Sequence, residues 1–173
     1  MGAFAESVVA AGKRSRGLAE RLLKDVRPDQ FARKPHVGGV IIDTNHPSFV
    51  FGHLALYPAK IAHIIGADPA PVAAPAAFEG LFKNGAPCHD DPSGTIYPGM
   101  EAVVSAFFRS YDGVFPLVAA LSDAEFAKEN PDPRYREFLP TVGQAAVFLL
   151  NNHTMMHLGQ ISAWRRCMGL GPA

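Results

Sequence analysis

The stretch Asn151-Asn152-His153-Thr154-Met155-Met156-His157-Leu158-Gly159-Gln160 lies inside a longer run that begins after Pro140–Thr141 and ends near Cys167. Across that run Val142, Ala146, Leu149, Leu150, His153, His157, Gln160, Ile161 and Trp164 recur at helical spacing, so the segment reads as one long helix with an inward face. Arg165 and Arg166 suit its C-terminal end and Gly169 its stop. Four residues on a helix advance about 400° and about 6 Å along the axis. His153 and His157 therefore project from one face, close enough to grip one transition-metal ion.

Three more helices are predicted upstream. The first runs from about Phe4 to Val26, with Val8, Ala11, Ser15, Leu18 and Leu22 turned inward. After a connection containing Pro28, Pro35 and Gly38–Gly39, Val40–Ile41–Ile42 reads as extended chain or a tight turn. The second helix begins near Asn45, with Thr44 or Asn45 as its cap and Pro47 in its first turn, where a missing N–H costs nothing. Phe49, Val50, His53, Leu56, Tyr57, Ile61 and Ile64 follow at helical spacing, and Pro58 should kink this helix one turn after His53. The third spans about Met100 to Leu121, with Val103, Val104, Phe107, Phe108, Tyr111 and Leu117 as core; Pro116 is expected to kink or break it. Ser122 followed by Glu125 is a capping-box pattern for one short further turn.

Residues 67–98 carry six prolines, Pro69, Pro71, Pro75, Pro87, Pro92 and Pro98. They are expected to form irregular structure at one end of the bundle, over a site entrance or at a dimer contact. No strand pattern of any length competes. The chain is read as an all-α four-helix bundle, a single domain over residues 1–173, with a long Pro-rich connection between helices two and three.

Composition removes several function classes. The 16 Lys and Arg balance the 16 Asp and Glu, which leaves no global field to attract nucleic acid or an acidic membrane. No apolar run is long enough to cross a bilayer. Met1–Glu6 lacks a basic segment and an apolar core, so no signal peptide is expected. Two cysteines, Cys88 and Cys167, do not make a disulfide framework, and a reduced, cytoplasmic setting is expected. A phosphate loop, a dinucleotide glycine motif and a serine nucleophile elbow are all missing.

His53 shares its stripe with Phe49 and Ile61, so on facing helices it should point where His153 and His157 point. Three neutral imidazoles on one ion leave positions open for water or substrate, as in a catalytic site. The alternative is three buried histidines, each needing its own hydrogen-bond partners at about 1–3 kcal/mol per unpaired group. Thr154 stands where a His-Glu-x-x-His protease would place its general base. Gln160 and Asn152 are candidates to orient a ring or a bound water. His46 reads as a solvent-edge residue, and Arg165–Arg166 as a solvated helix end. Cys88–His89–Asp90–Asp91 reads as a polar turn with the capacity to add a ligand.

Two pieces, Asn45-His46-Pro47-Ser48-Phe49-Val50-Phe51-Gly52-His53-Leu54-Ala55 and His153-Thr154-Met155-Met156-His157-Leu158-Gly159-Gln160-Ile161 followed by Arg165–Arg166 and Gly169, give a further reading. In content, order and separation they resemble the marks of the DinB/YfiT-like family of four-helix-bundle proteins. The resemblance implies a divalent metal, zinc or nickel, on His53, His153 and His157. It implies a homodimer, and a thiol-dependent S-transferase acting with a low-molecular-weight thiol. A metal-dependent hydrolase and a non-catalytic, stress-related metal-binding protein remain alternatives.

Overall fold

Helical periodicity in the chain is realised as four limbs. In a computed structural model, which describes residues 2–173, α1 covers Ala3–Leu22. The second limb is α2, Pro47–Ala55, and α3, Tyr57–Ile64. Within the connection that follows, a 3₁₀ turn at Ala70–Val72 precedes α4, Ala77–Phe82. The third limb is α5, Met100–Ala119, and a short α6, Asp123–Phe126, follows it. The fourth limb is α7, Val142–Val147, a π-helical turn at Phe148–Asn152, and α8, His153–Cys167. The first limb packs on the third and fourth, and so does the second. The second and fourth limbs, which carry the three histidines, are therefore neighbours.

The apolar faces close on one core that includes Leu22, Phe51, Phe107, Tyr111, Leu150 and Trp164. Gly12 on α1 and Gly52 on α2 sit where a side chain would collide. A Cβ on Gly12 would stand 2.7 Å from the Phe115 ring, and one on Gly52 would stand 2.5 Å from the Phe82 ring. Ser122 caps α6 with the reciprocal Glu125 contact that the sequence indicates.

Several local expectations are revised. The first helix stops at Leu22, not Val26, and the chain turns through Asp25 at φ 62°. The cap of α2 is His46, not Thr44 or Asn45: its Nδ1 accepts the Phe49 N–H at 3.2 Å and its Nε2 donates to the His89 carbonyl at 2.8 Å. His46 is fully buried, the opposite of a solvent-edge residue, because the Pro-rich segment folds over it. The second limb breaks at Leu56, and Pro58 falls in the first turn of α3, where its missing N–H is harmless. Pro116 does not interrupt α5. It lies on the exposed face in the last part of the helix, which runs on to Ala119. His36–Val37 and Val40–Ile41 pair as a two-residue antiparallel hairpin turned by Gly38 and Gly39, both at positive φ.

Residues 67–98 are largely irregular, as six prolines demand, but α4 lies within them. The segment is stapled in place. The Asp91 carboxylate accepts the N–H groups of Thr95, Ile96 and Tyr97, and the Asp91 N–H donates to the Ala32 carbonyl. Asp90 pairs with Arg33. Neither aspartate reaches the histidines, so the polar-turn reading of Cys88–Asp91 holds.

Candidate metal centre

His53 on α2 and His153 and His157 on α8 meet in the space between the second and fourth limbs. Their Nε2 atoms converge: His153 lies 3.3 Å from His53 and 3.0 Å from His157. Among the described residues, these three are the one group of side chains placed to share a metal ion.

Each outer ring has its far nitrogen fixed. His53 Nδ1 donates to the Phe82 carbonyl at 2.7 Å, and His157 Nδ1 donates to Gln160 Oε1 at 3.0 Å. Asn45 Nδ2 donates to the same Gln160 oxygen at 3.2 Å, which holds the amide in that orientation. An acceptor at Nδ1 requires the proton there, so both Nε2 atoms present lone pairs to the shared centre. His153 is held differently. Its Nδ1 is buried without a partner among the described residues, and its ring packs against Tyr57 at 4.3 Å and Phe148 at 6.0 Å between centroids.

Burial lowers the basicity of all three. Desolvation is the leading cause, and it brings His53 down to about 4 and His153 to about 3, with His157 also lowered. Near neutral pH the rings are uncharged, the form that ligates metal. Converging lone pairs at this spacing repel one another unless a cation lies between them or His153 carries its proton on Nε2 and donates it to a neighbouring ring. A tetrahedral ion with nitrogen ligands at about 2.0–2.1 Å requires those nitrogens about 3.3 Å apart. Two of the three separations, 3.0 and 3.3 Å, are close to that value, and all three donor atoms lie within 4.8 Å of one another, a group that could hold a divalent ion after a small inward shift of the rings.

The local sequence explains how the rings are aimed. The π-helical turn Phe148–Asn152 inserts an extra residue per turn just ahead of His153 and resets the face that α8 presents. Thr154 helps close this turn: its hydroxyl donates to the Leu149 carbonyl five residues back and bonds the Tyr111 hydroxyl on α5 at 2.8 Å. The position that would hold a protease's glutamate is thus turned into the core. Gly52 lets Phe82 lie directly on α2, which brings the Phe82 carbonyl to His53.

The rings open onto a cleft of about 420 Å³ walled by Phe49, Tyr57, Tyr135, Phe138 and Phe148 and edged by Lys83 and Asn84. No aspartate or glutamate lines it. Burial also pushes the Tyr57 hydroxyl up to about 12, so it remains a hydrogen-bond donor. The Pro-rich segment does border the entrance, through residues 83–86, whereas α5 contributes nothing to the lining.

Of the two expected orienting residues, Gln160 takes its role and Asn152 does not. Asn152 is exposed, because the π turn swings it away from the rings. Arg165 is also not a solvated helix end. It is buried and donates to the carbonyls of Leu22, Lys24, Leu170 and Gly171, tying together the C-terminal ends of α1 and α8. The Phe82 carbonyl, Asn45 and Tyr57 were not singled out as site groups from sequence. The one signal for Phe82 was Gly52 beside His53, a glycine inside a helix where close approach is the usual reason.

A family model described as the DinB superfamily matches residues 11–161, a span containing all three histidines. No curated protein matches the chain.

Proposed function

The chain belongs to the DinB superfamily, and from that membership we propose that it is a metal-dependent enzyme that ionises a small thiol and transfers its sulfur to an electrophile. The carrying observation is the convergence of three uncharged Nε2 donors on a cleft that contains no carboxylate. A divalent ion held by His53, His153 and His157 would supply positive charge that favours the ionised form of a thiol or water beside it.

The residues around that point favour the thiol. A thiol has an unperturbed pKa near 8.5 and needs little further help to ionise. Water begins near 15.7 and normally benefits from a general base, and the cleft lining offers no Asp or Glu for that task. Gln160 and the Phe82 carbonyl fix the two outer rings, so the donor set is preorganised. The aromatic walls give the sulfur an apolar surface to lie against, and the Tyr57 hydroxyl stands ready to donate to an electrophile's carbonyl oxygen. In an addition to an activated double bond, sulfur forms the new S–C bond and the thiol proton ends on the neighbouring carbon. No oxidant or reductant is consumed.

Zinc and nickel are the ions to test first. Wild-type protein should purify with, or take up, about one divalent ion per chain, and His157→Ala should lose it while keeping a helical circular dichroism spectrum. Loaded protein should accelerate conjugation of small thiols to electrophiles, and His153→Ala should abolish that rate. Unchanged metal content in His157→Ala would overturn the metal centre. Turnover of esters or amides but of no thiol would replace thiol transfer by hydrolysis. Metal binding without turnover of either class would favour a non-catalytic metal-binding protein.

A further inference from the structure

A second cavity, about 360 Å³, adjoins the metal cleft, and the same three segments build both. On α3, Tyr57 lines the cleft and Lys60 the neighbouring cavity. Glu79 and then Lys83 succeed one another along the α4 segment, as do Arg134 and Tyr135 in the connection before α7. Lys60 stands at the wall between the two spaces. Its ammonium lies 4.6 Å from the centre of the Tyr57 ring, whose other neighbours are the His53 and His153 rings.

Lys60 is half-buried and unmatched. None of the ion pairs among the described residues involves it. The acidic groups facing it across the same cavity, Glu79 and Asp132, act on it by their charge without closing an ion pair. Asp132 is held by Arg134 at 2.6 Å, and Glu79 is exposed and forms no ion pair with Lys60. A half-buried ammonium without a counter-ion is unfavourable for folding, because desolvation is not repaid by a partner. Contact with an aromatic face offsets only part of that. An anion from outside would complete it.

From this we infer that Lys60 is a substrate-binding residue that pairs with a carboxylate on the molecule whose reactive centre enters the three-histidine cleft. The inference rests on the reading of that cleft as the reaction site. One ammonium, with the adjacent Arg134 engaged by Asp132, suits a carboxylate better than a phosphate dianion. The Tyr57 ring lies between the ammonium and the histidines, so the substrate would have to bridge the rim of that ring, with its carboxylate at Lys60 and its reactive centre at the histidines. Lys83, exposed at the cleft edge, adds charge of the same sign. Carboxylate-bearing substrates are therefore favoured over neutral ones.

The test is calorimetric binding of matched carboxylates and amides, namely benzoate against benzamide and propionate against propionamide, to zinc-loaded protein and to the same preparation stripped of metal; the Lys60 effect is read on the stripped protein, since a carboxylate would also bind the ion itself. In the wild type each carboxylate should bind about tenfold more tightly than its amide, the usual scale for a charge-assisted hydrogen bond. Lys60→Met should erase that preference, Lys60→Arg should keep most of it, and Lys83→Met should reduce it only slightly. Zinc content, measured on the same preparations, reports separately on the metal centre. Should the protein hold no zinc, that centre is refuted, and the carboxylate preference is read on the protein as purified. Equal binding of acid and amide by the wild type, failure of every carboxylate to bind, or a preference that survives Lys60→Met would overturn the assignment.

Discussion

Replacing Gly52 by Ala tests how the close approach of two segments sets the metal centre. The new Cβ would stand 2.5 Å from two Phe82 ring atoms and 2.6 Å from a third. Phe82 is fully buried against Phe49, Phe78 and Tyr97, so its ring has nowhere to retreat. Overpacking of this kind costs about 1–3 kcal/mol. Alanine regains about 1 kcal/mol in helix propensity. With three contacts this short the clash should prevail, leaving a net loss of up to about 2 kcal/mol. For a chain of this length that corresponds to a fall in Tm of about 2–4 °C per kcal/mol. The second consequence is more specific. Pushing Phe82 away withdraws its carbonyl from His53 Nδ1, a bond of 2.7 Å. Loss of such an orienting partner typically weakens metal binding by about 10–100-fold. Competition with a chelator of known zinc affinity, alongside thermal melts of metal-free and loaded protein, measures both. Phe82→Leu added to Gly52→Ala should recover part of each loss, since it removes the ring and keeps the carbonyl. A Gly52→Ala protein that is more stable than wild type and binds zinc equally well would refute the reasoning.

Gln160→Ala should weaken zinc binding by about 10–100-fold, whereas Asn152→Ala, at an exposed position, should leave it unchanged; the same chelator competition distinguishes them. Acid should destabilise the metal-free protein in a defined window. His46 and His53 are each lowered from 6.5 to about 4 in the fold, so between those values the unfolded chain binds protons that the native chain does not. Stability is then fully present above pH 6.5 and falls as pH drops towards 4, by about 1.4 kcal/mol per pH unit for each histidine held neutral. Urea titrations across that range should show the slope, and His46→Asn should reduce it. Arg165→Met should lower Tm by 5 °C or more, because each buried carbonyl left unpaired costs about 1–3 kcal/mol. A smaller change would mean that the two helix ends do not depend on the guanidinium.

The sequence by itself determined the four limbs, since apolar residues recurring every three or four positions report which face of a helix is buried. It also determined the His153–His157 pair, because helix geometry alone puts residues four apart on one face. A disturbance of the second helix near Pro58, the Ser122 capping box and the irregular course of most of residues 67–98 are local effects of proline and capping chemistry, and they too are legible; that the helix breaks at Leu56 and restarts was not. Periodicity identifies a buried face but not what lies opposite. That His53 meets a pair 100 residues away depends on the second and fourth limbs being neighbours. The Phe82 carbonyl that orients it comes from a helix short enough to carry no periodic signal. His46 and Arg165 looked solvent-exposed from their places at helix ends. They are buried because a Pro-rich segment covers one and two helix C-termini converge on the other. The π turn ahead of His153 has no mark in composition or spacing. It is fixed by packing, with the Thr154 hydroxyl taking the Leu149 carbonyl, and it is what turns His153 inward and Asn152 out.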